Sequence, residues 1–354
     1  MRKWGFLILF TLPLLLSITA CSGQSGQTSA TGGTAAQGKS RLDTVKSRGK
    51  LICGVSGELP GFSFVDKEGN YKGLDVEVCR AIASAIFDNP DAVEFRNLNA
   101  KERFTALQTG EIDVLSRNTS WTISRDTSVG LEFAPVVFYD GQGIMVKKDS
   151  NIKTLADLKD KAICTQTGTT NEQNLADQMR KRGITYKPVV FEDINTAYAT
   201  YAEGRCQAVT SDRSQLLSRK TTLPQPQNHV ILNEVLSKEP LAPAVTNGDS
   251  RWHDVVKWSI YALINAEELG INSKNLASFE NSNDPDIKRF LGKEGNLGEG
   301  LGLTNDFAVR IVKHVGNYGE VYNRYLGPGT PFNLPRGQNN LWNKGGLLYS
   351  PPFR

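Results

Sequence analysis

Two hydrophobic periods take turns along this chain. LICGVSG (Leu51 to Gly57) is a short continuous apolar run, as a buried strand makes. Phe62 and Phe64 follow in a turn-rich stretch, and Asp66 to Asn70 reads as a hairpin turn. From Leu74 to Phe87, Val78, Ile82 and Ile86 recur every four residues, the spacing of one helix face. VEFRNL is the next strand, Lys101 to Thr109 a helix that Gly110 is placed to end, and Ile112 to Leu115 a strand. A second series repeats the scheme: Ala162 to Thr165 (strand), Asn171 to Arg182 (helix), VVFED (strand), Ile194 to Glu203 (helix) and QAVTSD, a strand ending at Asp212. Strands alternating with helices predict mostly parallel sheets.

Two extended runs separate the series. FAPVVFYDGQGIMVKKDS, broken by Gly141 and Gly143, leads out of the first. HVILNEVLSKEPLAPAVTNGD, with Pro240 and Pro243, leads back. The expected fold is α/β with two lobes, each a mostly parallel sheet flanked by helices, joined by two crossing strands. Residues 41–140 form the first lobe, 141–240 the second, and 241–354 the return to the first with a C-terminal extension. The return carries helices over Trp252 to Leu269 and Phe307 to Tyr325. Its tail, PFNLPRGQNNLWNKGGLLYSPPFR, is turn-rich, and its pattern assigns it no role.

The start of the chain has a different character. Residues 1–20 pair a basic Arg2-Lys3 with an apolar run from Phe6 to Leu16, too short for a comfortable membrane span and suited to an export signal. The run ends in Ile18-Thr19-Ala20-Cys21, a small residue directly before cysteine, which resembles a bacterial lipobox. Cleavage before Cys21 and lipid attachment to it are expected, giving a membrane anchor of several acyl chains. Ser22 to Ser40 has no large apolar residue and reads as a flexible tether about 25 Å from end to end.

Composition removes several function classes. The chain has a formal charge of +4, two units of which leave with Arg2 and Lys3, so no nucleic-acid partner is implied. Three histidines and no metal-spaced cysteine pairs argue against a zinc site, and no cofactor motif occurs. There is no G-x-S-x-G elbow and no GxxxxGK[ST] loop; GNLGEGLGL does not follow a strand and reads as a loop. Beyond Cys21 four cysteines remain, which allow three pairings. One pair per lobe, Cys53 with Cys79 and Cys164 with Cys206, is the simplest choice in an exported protein.

Candidate chemistry gathers where strands end, since ligands of open α/β sheets bind outside the carboxyl ends of the strands. SRNTSWTISR (Ser116 to Arg125) follows the strand Ile112 to Leu115 and offers hydroxyls, the Asn118 amide and the Arg125 guanidinium, whose planar fork fits a carboxylate. Its bland alternative is a surface loop with Arg125 in a solvated ion pair. Gly168-Thr169-Thr170 opens a helix, leaving free N–H groups and a positive dipole end for an anion, or serving as a plain threonine cap. Asp212 could receive an ammonium group or be a helix N-cap. Phe62 is read as facing the strand ends or as a core residue.

ERFTALQTGEIDVLSRNTSWTISRD, CTQTGTTNEQNLAD, VVFEDINTAYATYAEGRC and LWNKGGLLYSPPFR together resemble the general L-amino-acid-binding proteins of polar amino-acid ABC transporters, the type II periplasmic binding fold of solute-binding protein family 3. The resemblance runs from about Arg41 to Arg354. It implies that Arg125 binds the α-carboxylate of a free L-amino acid, that Asn118 and Ser120 share the carboxylate and ammonium, that Thr169 and Thr170 also hold the carboxylate, and that Asp212 takes the ammonium. It implies ABC permease subunits in the inner membrane as partners, and a place in the periplasm or on the outer face of the cytoplasmic membrane. Binders of cationic amino acids resembling this chain often have an acidic residue just after the first strand. Ser56 occupies that position, with Glu58 close by. The rival class is an enzyme on the same fold, such as a cyclohexadienyl or prephenate dehydratase, with Glu58 as its one nameable acid or base.

Overall fold

The computed structural model describes residues 39–354. The expected signal (1–20), Cys21 and most of the tether lie outside the described residues. Ser40 caps the helix Arg41–Arg48, and its hydroxyl donates to Asp249 at 2.9 Å, tying the start of the chain to the helix Ser250–Glu268.

Two five-stranded sheets carry the architecture. In the first, Val93–Asn97, Leu51–Val55, Val114–Leu115, Ala244–Thr246 and Leu131–Phe133 lie side by side in that order. The second runs Lys187–Phe191, Ala162–Gln166, Ala208–Asp212, Gln142–Lys147, His229–Ile231. Both sheets are mostly parallel, as expected, and each is mixed through one antiparallel strand. Four strands of each run the same way, and the fourth in each order, Ala244–Thr246 or Gln142–Lys147, runs antiparallel to them. The antiparallel strands are those next to the crossings, where the chain arrives from the other lobe and not through a helix.

The crossings pair with each other. Phe138–Asp140 and Glu239–Leu241 form a two-stranded antiparallel ribbon in which Glu239 faces Asp140. This ribbon is the hinge, and it holds both sheets with their parallel strand ends toward one cleft. Each lobe carries the disulfide expected of it: Cys53–Cys79 ties the strand Leu51–Val55 to the helix Leu74–Phe87, and Cys164–Cys206 ties the strand Ala162–Gln166 to the loop before Ala208–Asp212.

Other departures have local causes. Phe307 to Tyr325 is two helices, Phe307–His314 and Tyr318–Tyr325. Gly316 takes a left-handed conformation, and Asn317 and Glu320 form a capping box that starts the second helix. GNLGEGLGL contains one helical turn, Leu297–Gly300. The tail is packed. Phe353 is buried with its ring centroid 5.2 Å from that of Trp258, 5.5 Å from Phe290 and 6.2 Å from Phe307, so the last residues close the first-lobe core. No described helix is long and apolar enough to cross a membrane.

Candidate functional site

Local chain geometry fixes each side of the cleft. On the first lobe, the chain leaves Val114–Leu115 and enters the short helix Ile123–Thr127, whose N-cap Thr122 accepts from the Arg125 amide at 3.3 Å. This turns Arg125 inward. It is 8% exposed, makes no ion pair among the described residues, donates to the Ser120 carbonyl at 2.8 Å and lies 5.1 Å over the Phe104 ring. The surface-ion-pair alternative is therefore excluded.

On the second lobe, Thr169 caps the helix Thr170–Lys181, its hydroxyl accepting from the Glu172 amide at 3.2 Å. Gly168 is required twice over. Its φ is +73°, and a Cβ there would stand 3.1 Å from the Ala100 carbonyl oxygen of the first lobe. The helix N-terminus is thus pressed against the opposite lobe. Asp212 ends its strand before the helix Arg213–Lys220 without capping it. Its carboxylate accepts from Asn171 Nδ2 at 2.9 Å.

These groups meet in one interlobe cavity of about 20 Å³, lined by Arg103, Arg117, Asn118, Ser120, Arg125, Gln166, Thr169, Thr170, Asn171, Asp212 and Gln215. That is room for about one water, so the lobes stand closed. Several bonds span the gap: Asn118 donates to Gln215 at 3.2 Å, Arg103 to the Gly168 carbonyl at 3.4 Å, and Ser218 to the Pro60 carbonyl at 2.7 Å. A larger cavity of about 370 Å³ lies beside it and shares Arg117 and Gln166 as walls. Ser56, Glu58, Asn97, Glu102, Glu192 and Asp193 are among its other walls.

Six of the seven residues expected at a ligand site (Asn118, Ser120, Arg125, Thr169, Thr170 and Asp212) line the inner cavity. Phe62 does not. It is 1% exposed and packs edge-on against Phe138 at 5.1 Å in the first-lobe core, because the hairpin that carries it folds back onto the helix Leu74–Phe87.

Sequence reasoning missed Arg103, Arg117 and Glu239. Arg103 is 3% exposed. It shares the buried face of its helix with Ala106 and Leu107, and an arginine on an apolar helix face was the available signal. Glu239, on the hinge ribbon, is 1% exposed. It accepts from Ser120 on one lobe and from Thr170 (2.8 Å) and Asn174 (2.8 Å) on the other, and from Ser237 at 2.5 Å. The Ser120 and Thr170 hydroxyl protons therefore point at Glu239, and their lone pairs remain as acceptors.

Burial governs the electrostatics. It lowers the Arg125 pKa, against the pull of Glu239 and Asp212, and lowers that of Arg103 strongly, helped by Arg125 and Arg117. It raises the Asp212 carboxyl far above the usual carboxylate range, with Asp140 and Glu239 adding repulsion. Asp140 is pushed up to about 6 by the same burial. A buried acid held toward its neutral form and buried guanidiniums with unused donors suit a ligand that brings one positive and one negative charge.

A family model described as bacterial extracellular solute-binding proteins, family 3, matches residues 51–282. The chain belongs to this family. Among solute-binding relatives, the general L-amino acid-binding periplasmic protein AapJ of Rhizobium johnstonii is 52% identical over 91% of this chain and 95% of its own length. The glutamate/glutamine/aspartate/asparagine-binding protein BztA of Rhodobacter capsulatus is 48% identical over 89% of this chain and 94% of its own. A solved ABC transporter periplasmic binding protein from Brucella ovis, with glutathione bound, superposes with a TM-score of 0.87 at 51% identity, covering 89% of this chain and all of that one. The type II periplasmic-binding architecture is thus common to this chain and its solute-binding relatives. As a family-3 solute-binding protein the chain is exported and works in transport, and the dehydratase alternative finds no support among these relatives.

Proposed function

We propose that this solute-binding protein captures free L-amino acids of broad side-chain type in the interlobe cleft and delivers them to the permease of an ABC transporter. The observation that carries this is the convergence of Arg125, the Thr169–Thr170 helix start and Asp212 on one small cavity between the lobes. An amino acid is a zwitterion. Arg125 and the free N–H groups of the helix start neutralise its carboxylate. Asp212, with the lone pairs of Ser120 and the Asn118 carbonyl oxygen, receives its ammonium. Since the partners come from both lobes, only the closed cleft satisfies both ends, and the ligand stabilises closure by that differential contact. AapJ is named for general L-amino-acid binding, which agrees with the breadth proposed.

The ligand backbone fills the inner cavity once the lobes part to admit it, and the side chain extends into the outer one. A volume of about 370 Å³ there favours a second ligand class, γ-glutamyl peptides such as the glutathione of the Brucella ovis structure. Calorimetric titration with the twenty amino acids and glutathione tests both readings. Micromolar or tighter binding of several amino acids is expected; no heat with any of them sinks the proposal.

The chain start supports a lipid anchor at Cys21 after export, leaving the lobes on a tether. Cys21→Ser is expected to release a folded protein from the membrane fraction. A mutant that stays there as the wild type does would disprove the anchor.

A further inference from the structure

Arg117 stands where the two cavities meet and lines both. It is 6% exposed, and its Nε donates to the Leu98 carbonyl at 2.7 Å. Neither of its terminal nitrogens has a hydrogen-bond acceptor or an ion-pair partner among the described residues. A guanidinium carries five N–H donors, so about four of them lack an acceptor. The terminal nitrogens of Arg117 face the cavities, with Asp75, Glu58 and Glu102 acting on the charge from beyond ion-pair distance, so a direct acceptor is the partner the fork lacks. The other wall common to both cavities is Gln166. Its Nε2 donates to the Glu192 carbonyl at 3.0 Å, which directs its own carbonyl oxygen elsewhere and leaves that oxygen as an acceptor.

The junction therefore presents a donor fork on one lobe and a lone acceptor on the other. A carboxylate satisfies the fork but meets the Gln166 oxygen with repulsion. It also enters a chamber whose rim holds Glu58, Glu102, Glu192 and Asp193, with one lysine, Lys101, paired to Glu192. A cationic side chain suits the rim but faces the Arg117 guanidinium. A carboxamide satisfies both, its oxygen toward Arg117 and its N–H toward Gln166. Resting on the amino-acid reading above, we propose that Arg117 and Gln166 form a specificity subsite for the side-chain carboxamide of glutamine-type ligands.

The test compares ligands within each variant. Wild-type protein is titrated with glutamine, glutamate and norvaline, which has no distal oxygen, and so are Arg117→Ala and Arg117→Lys. A hydrogen bond to a charged group predicts a glutamine loss of about 10- to 100-fold in Arg117→Ala. Norvaline should stay within about threefold of wild type, the scale of changes that remove no specific contact. Arg117→Lys, which keeps the charge and is the safer variant for folding, should recover part of the glutamine preference. Equal losses for glutamine and norvaline in both variants would make Arg117 structural and overturn the subsite. A loss confined to glutamate would make it a carboxylate reader and overturn the carboxamide assignment. A wild type that binds other amino acids but none of these three overturns the subsite and leaves the amino-acid reading standing, whereas one that binds none of the twenty overturns both.

Discussion

The two cavities share a wall and differ in almost everything else. The inner one is walled mostly by buried groups: Arg103, Arg117, Ser120, Arg125 and Asp212 are all under a tenth exposed, and Asn118, Thr169, Thr170 and Gln215 are half-buried. The outer one is roomier, and most of its polar wall (Glu58, Asn97, Glu102, Glu192 and Asp193) is exposed. Charge interactions weaken steeply as water approaches. The same residue types therefore act strictly in one place and permissively in the other. In the proposed binding mode the α-carboxylate and α-ammonium, common to every amino acid, meet the strict part. Variable side chains meet the permissive part. Breadth of specificity then needs no flexible pocket, only a division of the cleft by depth.

The sharpest way to break this division is Arg125→Ala. Removing one partner of a buried charge pair costs about 3–5 kcal/mol because the other charge is left desolvated. The expected loss in affinity is about several hundred-fold or more, and alike for every amino acid, with the fold intact. Lysine should not rescue it, since it lacks the bidentate fork. If Arg125→Ala binds within about threefold of wild type by calorimetry, the carboxylate lies elsewhere and the depth argument fails.

Acidity should act on the same part of the cleft, more gently. Asp212 is held toward its protonated form by burial and by Asp140 and Glu239. The ligand ammonium needs the ionised form. The sign follows: a carboxyl with a raised pKa keeps its proton as pH falls, so binding must expel that proton and affinity drops on acidification. Titration from about pH 8 to about pH 5 should show proton release on binding and falling affinity. Asp212→Asn should bind more weakly at neutral pH and lose most of the pH dependence. Affinity that is flat over that range in the wild type would remove Asp212 from the ammonium site.

What the sequence shows of this cleft follows from how local each determinant is. Arg125, Thr169, Thr170 and Asp212 sit at strand ends or helix starts. Their positions on the cavity wall are set by elements a few residues long, and the apolar periods reveal those elements. The helix break at Asn317 carried an equally local signal, the capping box of Asn317 and Glu320, which the reading of Phe307 to Tyr325 as one helix missed. Arg103, Arg117 and Glu239 are different. Each is buried through partners distant in sequence: Arg103 donates to Thr119 and the Gly168 carbonyl, Arg117 to the Leu98 carbonyl, and Glu239 accepts from Ser120 and Thr170. Phe62 shows the converse. Strand and hairpin were read, but which way the ring turns depends on Phe138, which is 76 residues away in sequence and in ring contact in the core. The tail stayed unassigned for the same reason, since Phe353 finds Trp258, Phe290 and Phe307 only in the assembled lobe.

The smallest expected effect lies at the outer rim and sharpens the contrast from the other side. Glu58 is exposed, and Glu192 pairs with Lys101 with both side chains largely in water. Exposed charges of this kind contribute about 0–1 kcal/mol and are screened by salt. Glu58→Gln, alone or with Glu192→Gln, should therefore leave glutamine affinity unchanged and weaken lysine or arginine binding by at most about fivefold. The effect should fade as sodium chloride rises toward about 1 M, where the screening length falls to about 3 Å. The rim would then act on the approach of charged ligands more than on their residence. A loss of lysine binding comparable to that of Arg125→Ala, persisting at high salt, would mean that Glu58 is desolvated by the bound ligand. The outer cavity would then be as strict as the inner one, and the division by depth would be wrong.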